Sequence, residues 1–182
     1  MVLGGSPDLD AIVINIALHG LARSGKDEVG RILTHGYGYE RIAMGDLIKA
    51  ELNTTLLKTV NISAFTDDPI DKEVIRPLLV RYGYMHCARF QLIIQKRLQA
   101  GGPPLINTRI FRPEECQVWI NGGGQVWEVV RPGTGAAEPN EARELERCRA
   151  LGMITGVIPN SGTIDDLERW IAVWGATWME SG

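Results

Sequence analysis

The chain has 182 residues, of which 45% are apolar and 23% charged, a size and composition that suit one well-buried domain. Its net charge of −3 and pI near 5.6 exclude a general nucleic-acid-binding surface, because such surfaces need clustered positive charge. No apolar run approaches the ~20 residues that span a bilayer, and residues 1–10 lack the features of a signal peptide. We therefore expect a cytoplasmic protein with small-molecule partners and no membrane or nucleic-acid partner.

The first predicted elements are a strand, a glycine loop and a helix. Residues 11–18 are almost continuously apolar and β-branched, as in a strand buried on both faces of a parallel sheet. Residues 20–27 then fit the phosphate-binding pattern GxxxxGK[ST] except at Asp27, and Val29, Ile32 and Leu33 follow at helical spacing. This order is what a phosphate-binding loop requires; the alternative is a glycine-rich turn before an acidic helix N-terminus.

In such a loop, Gly20 and Gly25 allow backbone N–H groups to turn towards anionic oxygens, and Lys26 supplies a positive charge. The residue at position 27 is normally a hydroxyl ligand of Mg²⁺. A carboxylate there could bind the ion directly, hold it through water or repel the nucleotide, and the sequence leaves these three readings open. The loop residues expected to bind nucleotide are Gly20, Arg23, Ser24, Gly25, Lys26, Asp27 and Glu28.

The rest of the chain alternates short apolar strands with helical stretches, which predicts an α/β protein. Up to residue 104 we predict a strand at 39–44, a helix at 45–52, a loop or mobile segment at 53–72, and helices at 72–82 and 85–99, with Pro77 near a turn or helix start. Beyond it we predict strands at 105–108, 125–130 and 156–159, and helices starting at Pro113, Glu141 and Thr163.

The final helix carries Trp170, Trp174 and Trp178 at spacings of one helical turn. This spacing is typical of a core face or an oligomer face, so a homodimer is one expectation. The three cysteines are odd in number and widely spaced, which indicates reduced thiols rather than a disulfide framework or a zinc site.

Ligands of open α/β sheets bind beyond the carboxyl ends of the strands, so Asn107, Thr108 and Arg109 are expected near Lys26. His19 could also touch the loop. Asp46 could bind a sugar hydroxyl or a base edge, or cap its helix. Phosphoryl transfer needs positive charge around the transferred group, and the arginines near element boundaries are Arg23, Arg76, Arg89, Arg109 and Arg131. Three others, Arg143, Arg147 and Arg149, are predicted to form pairs on a helix surface.

Together these segments resemble the nucleoside monophosphate kinases of the P-loop superfamily, most closely the phage-type deoxynucleoside monophosphate kinases. The similar segments are ARSGKD at 22–27, IAMGDLIK at 42–49, R-x-x-L-x-x-x-G at 76–83, VVRPG at 129–133 and VIPNSGT at 157–163. The resemblance implies a three-layer P-loop NTPase fold with a mostly parallel sheet over 1–182 as a single domain. It also implies a helical acceptor-binding segment at about 45–99 and a short lid at about 131–152.

The resemblance further implies an ATP- and Mg²⁺-dependent kinase that converts a nucleoside or deoxynucleoside monophosphate to the diphosphate. The implied catalytic residues are Lys26, Arg76, Arg109 and Arg131, and the implied acceptor-binding residues are Asp46, Arg76, Arg89 and Arg109. Asn160 would lie near the nucleotide base, and Asp27 would help to hold Mg²⁺ through water.

The chain departs from the family pattern at three points. Glu28 stands where a Thr is usual, Asn107 stands where an Asp is usual, and one extra residue lies between Arg109 and Glu114. The first two motivate an alternative, a nucleotide-binding regulatory protein with weakened catalysis. A third hypothesis is a P-loop kinase of another small metabolite, such as dephospho-coenzyme A.

Overall fold

A computed structural model describes residues 14–137 and 139–180 of the chain. In this part, five strands form one sheet: β1 (Ile16–His19), β2 (Glu40–Arg41), β3 (Leu105–Asn107), β4 (Gln125–Val130) and β5 (Gly156–Pro159). The helices of the same residues are α1 (Lys26–Gly36), α2 (Met44–Val60), α3 (Pro69–Met85), α4 (Cys87–Gln99), α5 (Pro113–Asn121), α6 (Pro139–Ala150) and α7 (Ile164–Glu180).

The strands are all parallel and lie in the order β2-β3-β1-β4-β5, so β1 is central. Ile16 pairs with Ile106 on one side and with Gln125 on the other. Because the faces of β1 alternate, Ile16 and Leu18 pack under α1 and α7, whereas Ala17 packs under α4, α5 and α6. Two helical layers thus cover one parallel sheet, which confirms the predicted three-layer α/β fold.

Several predicted bounds are confirmed. The strands at 125–130 and 156–159 and the start of α5 at Pro113 are as predicted. The final helix begins next to Thr163, as predicted, and Thr163 and Asp166 form a capping box: the Thr163 N–H donates to Asp166 (2.9 Å), and the Asp166 N–H donates to Thr163 (3.2 Å). The first strand begins only at Ile16, and the expected strand residues 11–13 lie outside the described residues.

The prediction of a loop at 53–72 is confirmed for residues 61–68 and is wrong for the rest, which are helical. Helix α2 continues to Val60, and α3 already begins at Pro69, where the Asp68 carboxylate accepts N–H groups of the first turn. The sequence there is rich in Thr and Asn, which favour helices poorly, but Leu56 is buried against Ile75 in a small separate core. Tertiary packing therefore overrides local propensity.

Pro77 lies inside α3, not near a turn, so α3 lacks one backbone donor there. The tryptophans of the final helix were predicted to form a core face or an oligomer face, and two of the three pack against the core. Trp174 stacks with Trp170 at a centroid separation of 5.6 Å and meets Trp127 of β4 at 4.6 Å, whereas the side chain of Trp178 lies outside the described residues. Among the described residues, no helix has the length and apolar character needed to cross a membrane.

Candidate functional site

The glycine loop joins the end of β1 to the start of α1 at the centre of the sheet. Gly20 and Gly25 have φ angles of 134° and 100°, which side chains other than glycine rarely allow. A Cβ at Gly20 would lie 2.5 Å from the Val129 carbonyl oxygen, and one at Gly25 would overlap the Asn160 side chain. The loop therefore requires glycine at both positions.

The lysine of the loop is folded back on the loop itself. Its Nζ donates to the carbonyl oxygens of Gly20 and Leu21, each at 2.7 Å. Burial lowers the pKa of Lys26, and the carboxylates of Glu141 and Asp27 partly offset this. The ammonium group thus lies at the loop in a partly desolvated position, where an anion would add to its stabilisation.

Ser24 offers an independent indication of what the loop binds. Its hydroxyl is buried and has no hydrogen-bond partner among the described residues. A buried hydroxyl without a partner is destabilising, and a phosphate oxygen would satisfy it. The residues of the loop therefore fit a nucleotide phosphate, and the Asp27 and Thr108 oxygens are the hard ligand type that suits Mg²⁺.

The end of β3 meets the start of α1, as predicted. The Thr108 hydroxyl donates to Asp27 Oδ1 (2.9 Å), and an Arg109 guanidinium nitrogen lies 3.9 Å from Asp27 Oδ2. Asn107 is buried, and its side-chain oxygen accepts the Arg109 N–H (2.9 Å). The structure thus brings Lys26, Asp27 and Arg109 together, and Asn107 holds the turn that carries Arg109.

Two predicted nucleotide ligands have other partners. Glu28 forms an ion pair with Arg31 on the same helix (2.6 Å). The buried Asn160 donates from Nδ2 to the Ser24 carbonyl oxygen (2.8 Å), so it fastens the end of β5 to the glycine loop. Their predicted contacts with nucleotide stay predictions.

A narrow cleft of about 20 Å³ lies beside Arg109, between the start of α2, α4 and α5. Met44, Gln91, Ile94 and Trp119 line it together with Arg109. Asp46 does not line it: this carboxylate pairs with Arg41 (3.5 Å), and Ala43, not Asp46, is the N-cap of α2. No sequence pattern indicated Gln91, which reaches the cleft because α4 packs against α2 and α5.

The remaining predicted arginines are not brought to this cleft. Arg89 pairs with Glu51 of α2, which also accepts a hydrogen bond from Tyr82. Arg76 on α3, Arg131 at the end of β4 and Arg23 in the loop are exposed, and within the described part of the chain they form no ion pair. Their predicted roles stay predictions.

His19 touches the loop, as predicted. Its Nδ1 accepts the Gly20 N–H (2.7 Å), and its Nε2 lies 3.0 Å from the Phe111 carbonyl oxygen. A carbonyl only accepts, so the ring is the neutral tautomer with hydrogen on Nε2. Burial lowers the pKa of His19, in agreement with a neutral ring. One imidazole therefore joins the glycine loop to the segment after β3.

Cys116 and Cys148 are distant in sequence, but their sulfur atoms lie 3.6 Å apart where α5 contacts α6. Both are free thiols, and burial raises the pKa of each. A His19 ring nitrogen lies within 4.8 Å of both sulfurs. Because both nitrogens of that ring already make hydrogen bonds, the ring has no free lone pair for a metal ion, and the cluster is a packed thiol pair.

Arg149 pairs with Glu146 on the surface of α6 as predicted (3.3 Å), but it also reaches the sheet. Its guanidinium makes two hydrogen bonds, of 2.9 and 2.5 Å, to the buried Glu128 of β4. The other two arginines, Arg143 and Arg147, pair with Glu144 on α6 as predicted. A lone carboxylate in the apolar strand 125–130 was the overlooked signal, because a buried charge requires a partner.

Comparison with known proteins places this geometry in a fold family. Shikimate kinase from Aquifex aeolicus vf5 superposes with a TM-score of 0.54 at 14% identity, covering 93% of this chain and 100% of that one. The chain has the P-loop kinase fold. Two other kinases are also similar. Dephospho-CoA kinase from Campylobacter jejuni superposes with a TM-score of 0.51 at 10% identity, covering 92% of this chain and 98% of that one. A gluconokinase from Sinorhizobium meliloti 1021 superposes with a TM-score of 0.51 at 15% identity, covering 93% of this chain and 95% of that one. No protein-family model matches the sequence, and no curated protein matches it significantly.

Proposed function

We propose that the chain is an ATP-dependent kinase that phosphorylates a nucleoside or deoxynucleoside monophosphate. The observation that carries the proposal is the convergence of Lys26, Asp27 and Arg109 at the carboxyl ends of β1 and β3, beside a cleft that opens between the helices. Transfer between two substrates requires an acceptor site next to the phosphate-binding loop. The cleft has a volume of only about 20 Å³, so the helices around it must move apart before it admits an acceptor.

Each group has a defined task in the transfer. The loop N–H groups and Ser24 bind the donor phosphates, and Lys26 exchanges its two carbonyl partners for phosphate oxygens. Arg109 lies between Asp27 and the cleft, where its charge stabilises negative charge on the transferred group. Mg²⁺, when bound at Asp27, would neutralise phosphate charge.

Support for a nucleotide acceptor comes from the sequence resemblance and from Gln91, an amide among apolar cleft residues that suits the edge of a base. A second candidate acceptor is dephospho-coenzyme A, which the likeness to a dephospho-CoA kinase favours to the same degree. The regulatory alternative loses part of its motivation, since Glu28 pairs with Arg31 and Asn107 makes a contact that Asp could also make.

The decisive experiment incubates the purified chain with Mg-ATP and a panel of acceptors, and measures ADP. The panel contains the ribo- and deoxynucleoside monophosphates, dephospho-coenzyme A, shikimate and gluconate. We expect ADP with one nucleoside monophosphate, and a loss of about 10²–10³-fold in kcat for Lys26→Ala.

Lys96→Ala is the matched control, since Lys96 is an exposed lysine near the end of α4. This end of α4 lies beside Asn15, at the amino ends of the strands and away from the glycine loop. It should keep wild-type activity. ADP formed only with dephospho-coenzyme A would establish the second candidate. Nucleotide binding without turnover of any acceptor would establish the regulatory alternative, and equal turnover by Lys26→Ala would refute the kinase.

A further inference from the structure

The first turn of α1 lacks the hydroxyl group that a phosphate-binding loop normally presents at this point. Lys26, Asp27 and Glu28 open the helix, and the Glu28 carboxylate is engaged by Arg31. A hydroxyl nevertheless reaches this place from another strand. Thr108, directly after β3, directs its Oγ1 to Asp27 Oδ1 at 2.9 Å. Thr108 is thus the hydroxyl-bearing side chain that contacts the residue at the altered position.

The surroundings of Thr108 keep its hydroxyl in this orientation. The side chain is buried, and its branched Cβ restricts rotation about χ1. Its methyl group lies against Gly30 on α1, where any Cβ would overlap it. Glycine destabilises a helix interior relative to alanine, so its presence one turn after Lys26 is explained by the space that Thr108 needs.

The hydrogen bond acts on a carboxylate that is otherwise mobile. The Asp27 side chain is 64% exposed, so in the absence of a partner it would sample several rotamers. Thr108 fixes Oδ1, while Oδ2 accepts no hydrogen bond from the described residues and faces Arg109 at 3.9 Å. A hydrogen bond to an ionised group is stronger than one between neutral groups. The carboxylate is therefore held with Oδ2 turned towards Arg109.

We propose that Thr108 is a positioning residue that orients Asp27 for Mg-nucleotide, and that it does so from β3 in place of a loop hydroxyl. The inference rests on the proposed function, because it assumes that the loop binds a magnesium nucleotide. It does not depend on which acceptor is phosphorylated.

The test is a Mg²⁺ titration of the binding of a fluorescent ATP analogue to three proteins: wild type, Thr108→Val and Thr108→Ser. Valine keeps the shape and loses the hydroxyl, whereas serine keeps the hydroxyl. We expect the half-saturating Mg²⁺ concentration to rise about tenfold in Thr108→Val and less than about threefold in Thr108→Ser, with Mg²⁺-free binding unchanged in both. In an Asp27→Asn background, Thr108→Val should change the half-saturating Mg²⁺ concentration by less than about twofold.

Thr34→Val is the matched control, because Thr34 on α1 also donates a side-chain hydrogen bond, to the Arg31 carbonyl oxygen, far from Asp27 in the helix. It should titrate as wild type. A Thr108→Val protein that titrates as wild type, or an equal effect in the Asp27→Asn background, overturns the positioning role while leaving the kinase proposal intact. Wild-type binding that does not respond to Mg²⁺ overturns the role as well. Acceptor turnover that is absent while these titrations behave as expected overturns the kinase proposal alone.

Discussion

His19 shows how one buried side chain sets the geometry of a whole loop. Its Nδ1 accepts the Gly20 N–H, and its Nε2–H donates to the Phe111 carbonyl oxygen. This ring, the His19 anchor, therefore holds together the loop and the segment that bears Arg109. The charged groups that affect it are Glu128 of β4, Lys26 of α1 and Arg149 of α6. Burial lowers its pKa, and the two cations act in the same direction. The anchor works only as a neutral ring, because protonation of Nδ1 would remove the acceptor of the Gly20 N–H.

This anchor predicts a pH dependence of stability. The folded-state pKa of His19 lies below its ordinary value of 6.5, so as pH falls through 6.5 the unfolded chain binds the proton first. Stability present above pH 6.5 is therefore lost as pH falls towards the folded-state pKa, at no more than about 1.4 kcal/mol per pH unit. Urea unfolding between pH 8 and pH 5 measures this. His19→Gln should remove the step, and the exposed His35→Gln should retain it; an unchanged profile in His19→Gln would contradict the assignment.

At the scale of elements, α2 and α3 form a unit with its own small core. Leu56, Ala64 and Ile75 are buried there, in a cluster separate from the two that cover the sheet. Pro77 removes one backbone donor from α3, and Ile70 and Val74 on the same helix are largely exposed. A small core and a weakened helix give low local stability, which suits a segment that closes over an acceptor.

We predict that Leu56→Ala loosens this unit selectively. The substitution leaves a cavity in the small core and should cost about 2–5 kcal/mol locally. Hydrogen exchange of α2 and α3 amides should accelerate, while that of β1 and β4 changes little. Leu57→Ala is the control, since Leu57 is 44% exposed. Equal acceleration across the sheet would show instead that the segment unfolds only with the whole molecule.

At the scale of the whole molecule, the central loop is fixed by contacts from several strands. Asn160, after β5, donates a hydrogen bond to the Ser24 carbonyl oxygen of the loop, and Thr108, after β3, donates one to Asp27 of the helix that follows. The loop therefore has its binding conformation only when the sheet is assembled. The binding free energy of a ligand of the loop thus adds to the stability of the entire fold.

Mg-ATP should accordingly raise the melting temperature. At about 100 times its Kd, a ligand adds about 2.7 kcal/mol, which corresponds to roughly 5–10 °C for a domain of this size. Scanning calorimetry with and without Mg-ATP measures the shift. Lys26→Ala should lose most of it; no shift in wild type would contradict nucleotide binding at this loop.

The fold was largely predictable from the sequence, because apolar strands bounded by glycine and proline leave few alternatives. The strand at 125–130 and the loop before α1 are examples. The second half of α2 and the first turn of α3 were mispredicted as loop, since their stability comes from Leu56 and Ile75, which meet only after folding.

The central residues of the candidate site were predictable, whereas the long-range contacts that hold them in place were not. The pattern around Lys26 identified the loop, and the strand rule placed Arg109 beside it. The contacts of Thr108 with Asp27, of Arg149 with Glu128 and of Cys116 with Cys148 join residues far apart in the chain. No local spacing encodes such pairs, because they depend on how helices cross the sheet.

The central position of β1 has a consequence for how the chain is made. Ile16 leaves the ribosome well before its partners Ile106 and Gln125, which lie far behind it in the chain. Until then β1, whose four residues are all buried in the finished sheet, has no strand on either side. Such long-range pairing slows folding and exposes apolar strand edges during synthesis. The segment that carries the glycine loop is thus translated before its partner strands and can take its final shape only after them.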